Sequence, residues 1–347
     1  MITMTSTASL LPGTPLPNLD KQRFTSTHIL RWLAAQQNWD KIHFDQQFCQ
    51  DVARLDAPVI NGALKQHLIV QFLTEAMPCA WPWRVDYQFI GPDYVGDKLR
   101  VQGVVTGSQV LDGRIFVSVD VEILNTDRGE VTARGKAVVV QNISGVPVLN
   151  AIGIAAPDGM GLPLATSPPD AATAEHISRL LGTQIDARES HYSIDLSRLR
   201  LFADAVMGLP PKHFDAQAGA ASPWGCVVAP PLFPLHGIEA LPGALPLSED
   251  PRSQGREGVN EVGRDLAHMF GIDPAGGMNA GNRVAIHSLA CAGERIHADS
   301  TLVGARRRSG KRGGDMIFFE TLNRYSEASG RPLVTERQTV VVRLVGD

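Results

Sequence analysis

The chain has 347 residues, 44% of them hydrophobic and 20% charged, with a formal net charge of −4. That balance is ordinary for a globular protein, and its slight acidity gives nucleic acid or an anionic membrane no electrostatic handle. No apolar run approaches the roughly 20 residues of a membrane span, and the first residues lack the basic start of a secretory leader. The length predicts two domains of roughly 150 residues each.

The first predicted element is a helix over Thr25 to Gln37, followed by the tight loop N-W-D-K-I-H-F-D from Asn38 to Asp45. His43 is the leading candidate for chemistry. Asn38 and Asp40 lie close enough along the loop to bond its imidazole and set the tautomer. A histidine so held can take a proton from water and return one to carbon, although a lone histidine beside an acid is more often a satisfied surface residue. Asn61 and Gly62 open the next helix, G-A-L-K-Q-H-L-I-V-Q-F-L-T-E-A-M, which runs uninterrupted to Pro78. The first N–H groups of a helix lack internal partners, and glycine lets a carbonyl oxygen come close, so Gly62 is the candidate oxyanion donor. The bland reading is a plain Asn61 N-cap followed by a permissive glycine.

Alternation and β-branched residues then predict strands over Arg84 to Phe89, Lys98 to Gln109, Arg114 to Asn125 and Val131 to Asn142. The turns between them are G-P-D-Y-V-G-D, L-D-G and T-D-R-G-E. A helix followed by consecutive antiparallel strands is the α+β pattern of a sheet wrapping a helix. A segment rich in Pro, Gly and Ala follows, and residues 150–174 read as a linker between a domain at 1–149 and one at 175–347.

The second domain repeats the first. A helix is predicted over Asp195 to Met207, and the H-F-D run of His43 recurs at His213. Further on, Y-V-G-D-K-L-R-V-Q-G from Tyr94 answers A-C-A-G-E-R-I-H-A-D from Ala290. Between these landmarks the second copy is longer, and Pro230, Pro231, Pro234, Pro242 and Pro246 forbid a central helix of the first copy's length. One short helix is expected near Gly258 to Met269, and the shortened helix leaves room beside the first domain. With Gly208 five residues before His213 and Pro210 three before, His213 reads as a relic. Cys49, Cys79, Cys226 and Cys291 lie far apart without a C-x-x-C pair, so all four read as reduced and the compartment as cytoplasmic. No metal-ligand cluster or phosphate-cradling loop is present, so no cofactor is implied.

N-W-D-K-I-H-F-D followed by P-V-I-N-G-A-L resembles the signature of MaoC-like hydratases. It is similar to the branch of mesaconyl-CoA hydratases and the mitochondrial 3-hydroxyacyl-thioester dehydratase, where an N-x-H-R-I-H-Y-D run precedes V-x-H-G-P-L. Tyr94 to Leu99 resembles the family's hairpin after the central helix. The second half resembles the family's divergent partner domain through F-A-D-A-V, V-A-P-P-L-F-P and the closing T-V-V-V-R. The resemblance implies a double hot-dog fold, α+β, of two fused domains, with the order of the halves swapped. It implies reversible hydration of a 2-enoyl-CoA to the (R)-3-hydroxyacyl-CoA, with His43 as acid/base and Gly62 N–H as oxyanion donor. The family's usual Asp, five residues before the histidine, is Asn38 here, and an amide orients water without accepting its proton. Either His43 works alone or Asp40 takes the carboxylate role. The substrate is expected to be a branched or bulky acyl-CoA thioester, with no nucleic acid or membrane partner and with homodimerisation of such pseudo-dimers common in the fold. Arg306 to Arg312 reads as a solvated hairpin tip, with contact to CoA phosphates as the alternative. The competing functions are a silent acyl-CoA-binding subunit and a thioesterase, for which Glu75 is the only acid on the central helix.

Overall fold

The computed structural model describes residues 11–157, 160, 179–238, 278–309 and 315–343. In chain order these form β1 (Leu19–Asp20), α1 (Ser26–Gln36), α2 (Gln46–Phe48), α3 (Gly62–Ala76), β2 (Trp81–Phe89), β3 (Leu99–Leu111), β4 (Arg114–Asn125) and β5 (Glu130–Asn142). The second half adds β6 (Gln184–Glu189), α4 (Leu196–Val206), α5 (Ala216–Ala220), β7 (Met278–Ile286), β8 (Ile296–Ser309), β9 (Asp315–Glu327) and β10 (Pro332–Arg343).

Local chemistry accounts for the first meander. Asp112 and Gly113 take φ values of 49° and 73°, the left-handed pair of a two-residue hairpin turn, and β3 folds back on β4 there. The buried residues of β4 alternate as Val117, Val119, Val121 and Ile123 and face α3. Thr25 and Asp195 cap α1 and α4 by accepting the His28 and Arg198 N–H groups. These two helices, each of 11 residues, meet across the middle of the molecule, where the rings of Trp32 and Phe202 lie 5.1 Å apart edge to face.

The strands form one ten-stranded sheet in the order β1-β3-β4-β5-β2-β7-β10-β9-β8-β6, in which every pairing is antiparallel. The order is a palindrome of the repeat: β2 answers β7, β5 answers β10, and so on outward. The β2–β7 pair joins the halves, reinforced by Arg283 Nε on Asp86 at 2.8 Å and by Trp81 Nε1 donating to the Ile286 carbonyl at 2.8 Å. This is the expected α+β double hot-dog architecture.

The halves differ at the central helix. After Pro230 and Pro231 the described residues give a single 3-10 turn, Phe233–His236, where the first half has the 15 residues of α3. Pro242, Pro246 and the helix expected near Gly258 to Met269 lie outside the described residues, as do most of the linker and the Gly310 to Arg312 part of the basic run. Arg306 to Arg308 lie on β8, with Arg306 over the Phe318 ring. No described helix is long and apolar enough to cross a membrane.

One expectation is corrected. Cys226 and Cys291 are joined as a disulfide, with Cα atoms 6.2 Å apart, while Cys49 and Cys79 are free. Sequence spacing concealed the pair because the antiparallel bridge Val228–Cys291 brings the two segments together across 65 residues. The cytoplasmic expectation therefore loses the premise that all four thiols are reduced.

Candidate active site

Three short segments build the site: the His43 turn, residues 58–61, and the turn after β2. Residues 58–60 run between the other two like a short strand. Val59 N–H donates to the Ile42 carbonyl at 2.9 Å, Ile60 N–H to the Asp93 carbonyl at 2.7 Å, and Val95 N–H to the Pro58 carbonyl at 2.8 Å. Gly96, with φ 108°, allows the chain to reverse just beyond, a conformation glycine adopts without a Cβ clash.

His43 ends the 3-10 turn Lys41–His43 and is 6% exposed. Its Nδ1 lies 2.9 Å from the Val59 carbonyl oxygen, which can only accept, so the proton sits on Nδ1 and Nε2 carries the lone pair. Asn61 Nδ2 lies 2.9 Å from that Nε2. The orientation of the amide is fixed by its other end, since Asn61 Oδ1 accepts from Trp32 Nε1 at 3.1 Å, Ala63 N–H at 2.9 Å and Leu64 N–H at 3.4 Å. Three donors on one atom identify it as oxygen, and the amide N–H must point at the imidazole. One residue therefore caps α3 and holds the histidine. The cap takes Ala63 and Leu64 but not Gly62, whose N–H opens the helix at its positive end.

Beside Gly62 packs the ring of Phe89, close enough that a Cβ on Gly62 would stand 3.0 Å from it. Behind that ring lies a buried ion pair, Lys65 Nζ to Asp93 at 2.6 Å. Asp93 also receives Thr132 Oγ1 at 2.6 Å and Asn125 Nδ2 at 2.9 Å. Burial is the larger influence on Lys65 and pulls its pKa down, while Asp93 opposes this.

Of the other sequence candidates, Asn38 Oδ1 accepts the Asp40 N–H at 2.9 Å, and Asp40, 2% exposed, caps the histidine turn by accepting the Ile42 N–H at 3.4 Å. Both side chains thus shape the loop that presents His43. Glu75 lies near the end of α3 opposite to Gly62, bonded by Gln71 Nε2 at 2.7 Å. The bond between Asn61 and His43 was not visible in the sequence. Its signal was there in principle, because an N-cap asparagine whose oxygen serves the helix has two amide hydrogens still to place.

The second half rebuilds the histidine turn without the helix. His213 ends the turn Pro211–His213, and its Nδ1 lies 2.9 Å from the Val228 carbonyl. Burial first, and then neighbouring Lys212, push its pKa down to about 4. The bridges Val59–Tyr94 and Val228–Cys291 are counterparts, and this alignment sets Pro230 where Asn61 stands. Proline has neither a side-chain amide nor an N–H.

A family model for the FAS1-like dehydratase domain region matches residues 179–336. No curated protein matches the chain in sequence. Among solved structures, a MaoC-domain dehydratase-named protein of Chloroflexus aurantiacus is similar, with TM-score 0.64, 15% identity and 97% of this chain against 96% of that one. A Mycobacterium tuberculosis protein described as having a double hot-dog fold aligns with TM-score 0.55, 11% identity, and 97% and 98% of the two chains. A MaoC-like dehydratase from Phytophthora capsici aligns with TM-score 0.52 and 11% identity over 99% of both chains. Through its ten-stranded palindromic sheet the chain shares the double hot-dog fold of these proteins, and its second half carries the FAS1-like dehydratase match.

Proposed function

We propose that this chain is a hydratase/dehydratase of 2-enoyl-CoA thioesters, forming or consuming the (R)-3-hydroxyacyl-CoA at a single centre in its first half. The observation that carries the reading is Asn61, which ties the unprotonated Nε2 of His43 to the residue before Gly62. A thioester oxygen at the Gly62 N–H then lies beside a base. In hydration His43 Nε2 takes a proton from water as the oxygen adds to C3. The negative charge passes to the thioester oxygen, held by Gly62 and the helix end, and the proton returns to C2. Asn38 orients the water through its amide, with Asp40 as the alternative partner. The fold and the dehydratase-region match to the second half support the class of reaction.

The same bond favours a second reading, a silent acyl-CoA-binding subunit, because Asn61 already occupies the lone pair that a base must free. In the hydratase reading, substrate and water displace that N–H. Absorbance of the conjugated thioester, followed over short, branched and polycyclic 2-enoyl-CoAs with free thiol measured alongside, separates the outcomes. Loss of absorbance without thiol release is expected. Thiol release would make the chain a thioesterase, and silence across the panel would leave the binding subunit.

A further inference from the structure

The concave face of the second half is polar where that of the first is apolar. Strand β9 holds the place of β4, and where β4 buries Val117, Val119, Val121 and Ile123, the alternation in β9 runs Phe319, Thr321, Asn323 and Tyr325. Beside these lie Glu336 of β10 and Asn282 of β7. The Glu336 carboxyl accepts from the Asn282 amide and from Asn323 Nδ2 at 3.1 Å. Gln66 of α3 and the Tyr87 ring of β2 face the same carboxyl. Gln66, Asn282, Thr321, Asn323 and Glu336 are buried polar side chains at 2–3% exposure, and Tyr87 is 1% exposed.

Five atoms of this cluster are out of contact with water and have no hydrogen-bond partner among the described residues: Gln66 Nε2, Asn282 Oδ1, Asn323 Oδ1, Thr321 Oγ1 and Tyr87 OH. Native interiors leave only a few such atoms, and five gathered in one place call for a missing partner. Their identity restricts what that partner is. Each asparagine amide gives one N–H to Glu336, which leaves two carbonyl oxygens that need a donor, two hydroxyls that can donate or accept, and the donating Gln66 amide. A carboxylate or ketone, which only accepts, leaves the amide oxygens unserved. A hydroxyl serves both kinds. Burial raises the Glu336 pKa, and the bonds from the Asn323 and Asn282 amides oppose that rise.

The cluster is continuous with the proposed site. Gln66 stands one turn after Gly62 on the same face of α3, about 6 Å along the axis. Phe89, which packs on Gly62, touches Tyr87 two residues earlier on β2 with ring centroids 5.4 Å apart. An acyl chain bound by its thioester oxygen at Gly62 and laid along Phe89 and Tyr87 would head toward these atoms. Resting on the hydratase reading, we propose that the acyl group carries a hydroxyl beyond the reacting carbons, seated among Tyr87, Asn282, Thr321 and Asn323. These residues determine acyl specificity.

Calorimetric binding of saturated thioesters, which cannot be hydrated, tests the cluster apart from catalysis. Hexanoyl-CoA and 6-hydroxyhexanoyl-CoA are compared on wild type, Thr321→Val and Tyr87→Phe. Wild type is expected to prefer the hydroxylated ligand about tenfold, and either variant to bring the ratio toward one. Because each variant removes an unpartnered buried hydroxyl, its melting temperature should hold or rise. A purely structural hydroxyl would instead lower the melting temperature and leave the ratio unchanged. Equal binding of the two ligands by wild type overturns the proposal and leaves ordered water as the cluster's partner. Binding of neither thioester overturns both this proposal and the acyl-CoA reading. A retained tenfold preference with no turnover of 6-hydroxy-2-hexenoyl-CoA or of any 2-enoyl-CoA in the panel sinks the hydratase reading alone.

Discussion

The two histidine turns are the same local structure with different neighbours. His43 and His213 each close a three-residue 3-10 turn, and each Nδ1 lies 2.9 Å from a valine carbonyl. In both halves that valine forms a bridge to the turn following the strand that joins the halves. What differs is the residue two positions after the valine. Asn61 begins a helix and reaches back to the imidazole, whereas Pro230 does neither. The turn is thus a framework element of the fold. In the proposed hydratase the centre lies where the cap residue couples histidine to helix end, a feature the first half has and the second lacks.

The sharpest break of this comparison is the pair His43→Ala and His213→Ala. General acid–base catalysis contributes about 10²–10⁴-fold, so kcat/KM for a 2-enoyl-CoA should fall by that factor in the first variant. In the second it should stay within about threefold per folded molecule. Equal losses would show two working centres. Next in size is the cap. Asn61→Leu removes the N-cap and strands Trp32 Nε1 without its acceptor in the core. The cap costs about 1 kcal/mol and the orphaned donor about 1–3. Urea unfolding should register a loss of about 2–4 kcal/mol, against less than about 1 kcal/mol for Pro230→Ala, where no such bonds exist. A similar cost at both positions would mean that Asn61 is only a backbone position.

The sequence states α3 almost completely, because its ends are chemical: Asn61 caps it, and the chain leaves the helix at Met77, one residue before Pro78. The predicted span Arg114 to Asn125 coincides with β4, since the Asp112–Gly113 corner and the T-D-R-G-E turn fix both ends. Strand β2 begins at Trp81, three residues earlier than Arg84, because Pro82 argues against a strand locally while pairing with β5 and packing of Trp81 override it. The α3 face that carries the polar residues Lys65, Gln66, His67 and Gln71 had no reading in the sequence. These residues are buried because the second half and the Asp93 turn close over them. The Asn61–His43 bond, the Cys226–Cys291 disulfide and the Glu336 cluster each join segments distant along the chain, and no local periodicity encodes such meetings.

The smallest effect separates the halves by pH. His236, in the residual turn of the second half, stacks near Trp32 and His67 of the first, with ring centroids 5.6 Å and 5.4 Å away. Burial, followed by Arg198, brings its pKa down to about 3. His67 lies well below its ordinary value through burial and then the nearby His236, and His213 is brought to about 4. All three are neutral in the folded protein at neutral pH. The unfolded chain binds their protons from about pH 6.5 downward. Their contribution to stability is therefore full above that pH and declines as pH falls toward about 4 for His213 and about 3 for His236. Each group adds about 1.4 kcal/mol per pH unit within its window. Urea unfolding at pH values of about 7 and about 5 should show this slope, and His236→Phe should make it shallower while keeping an aromatic ring against Trp32. Because two of these histidines belong to the second half and the third touches it, acid should loosen the joint while leaving the first meander, β3 to β5, paired. Hydrogen exchange in which β3–β5 opens before α4 and the Phe233–His236 turn would show that the joint is not the acid-sensitive part.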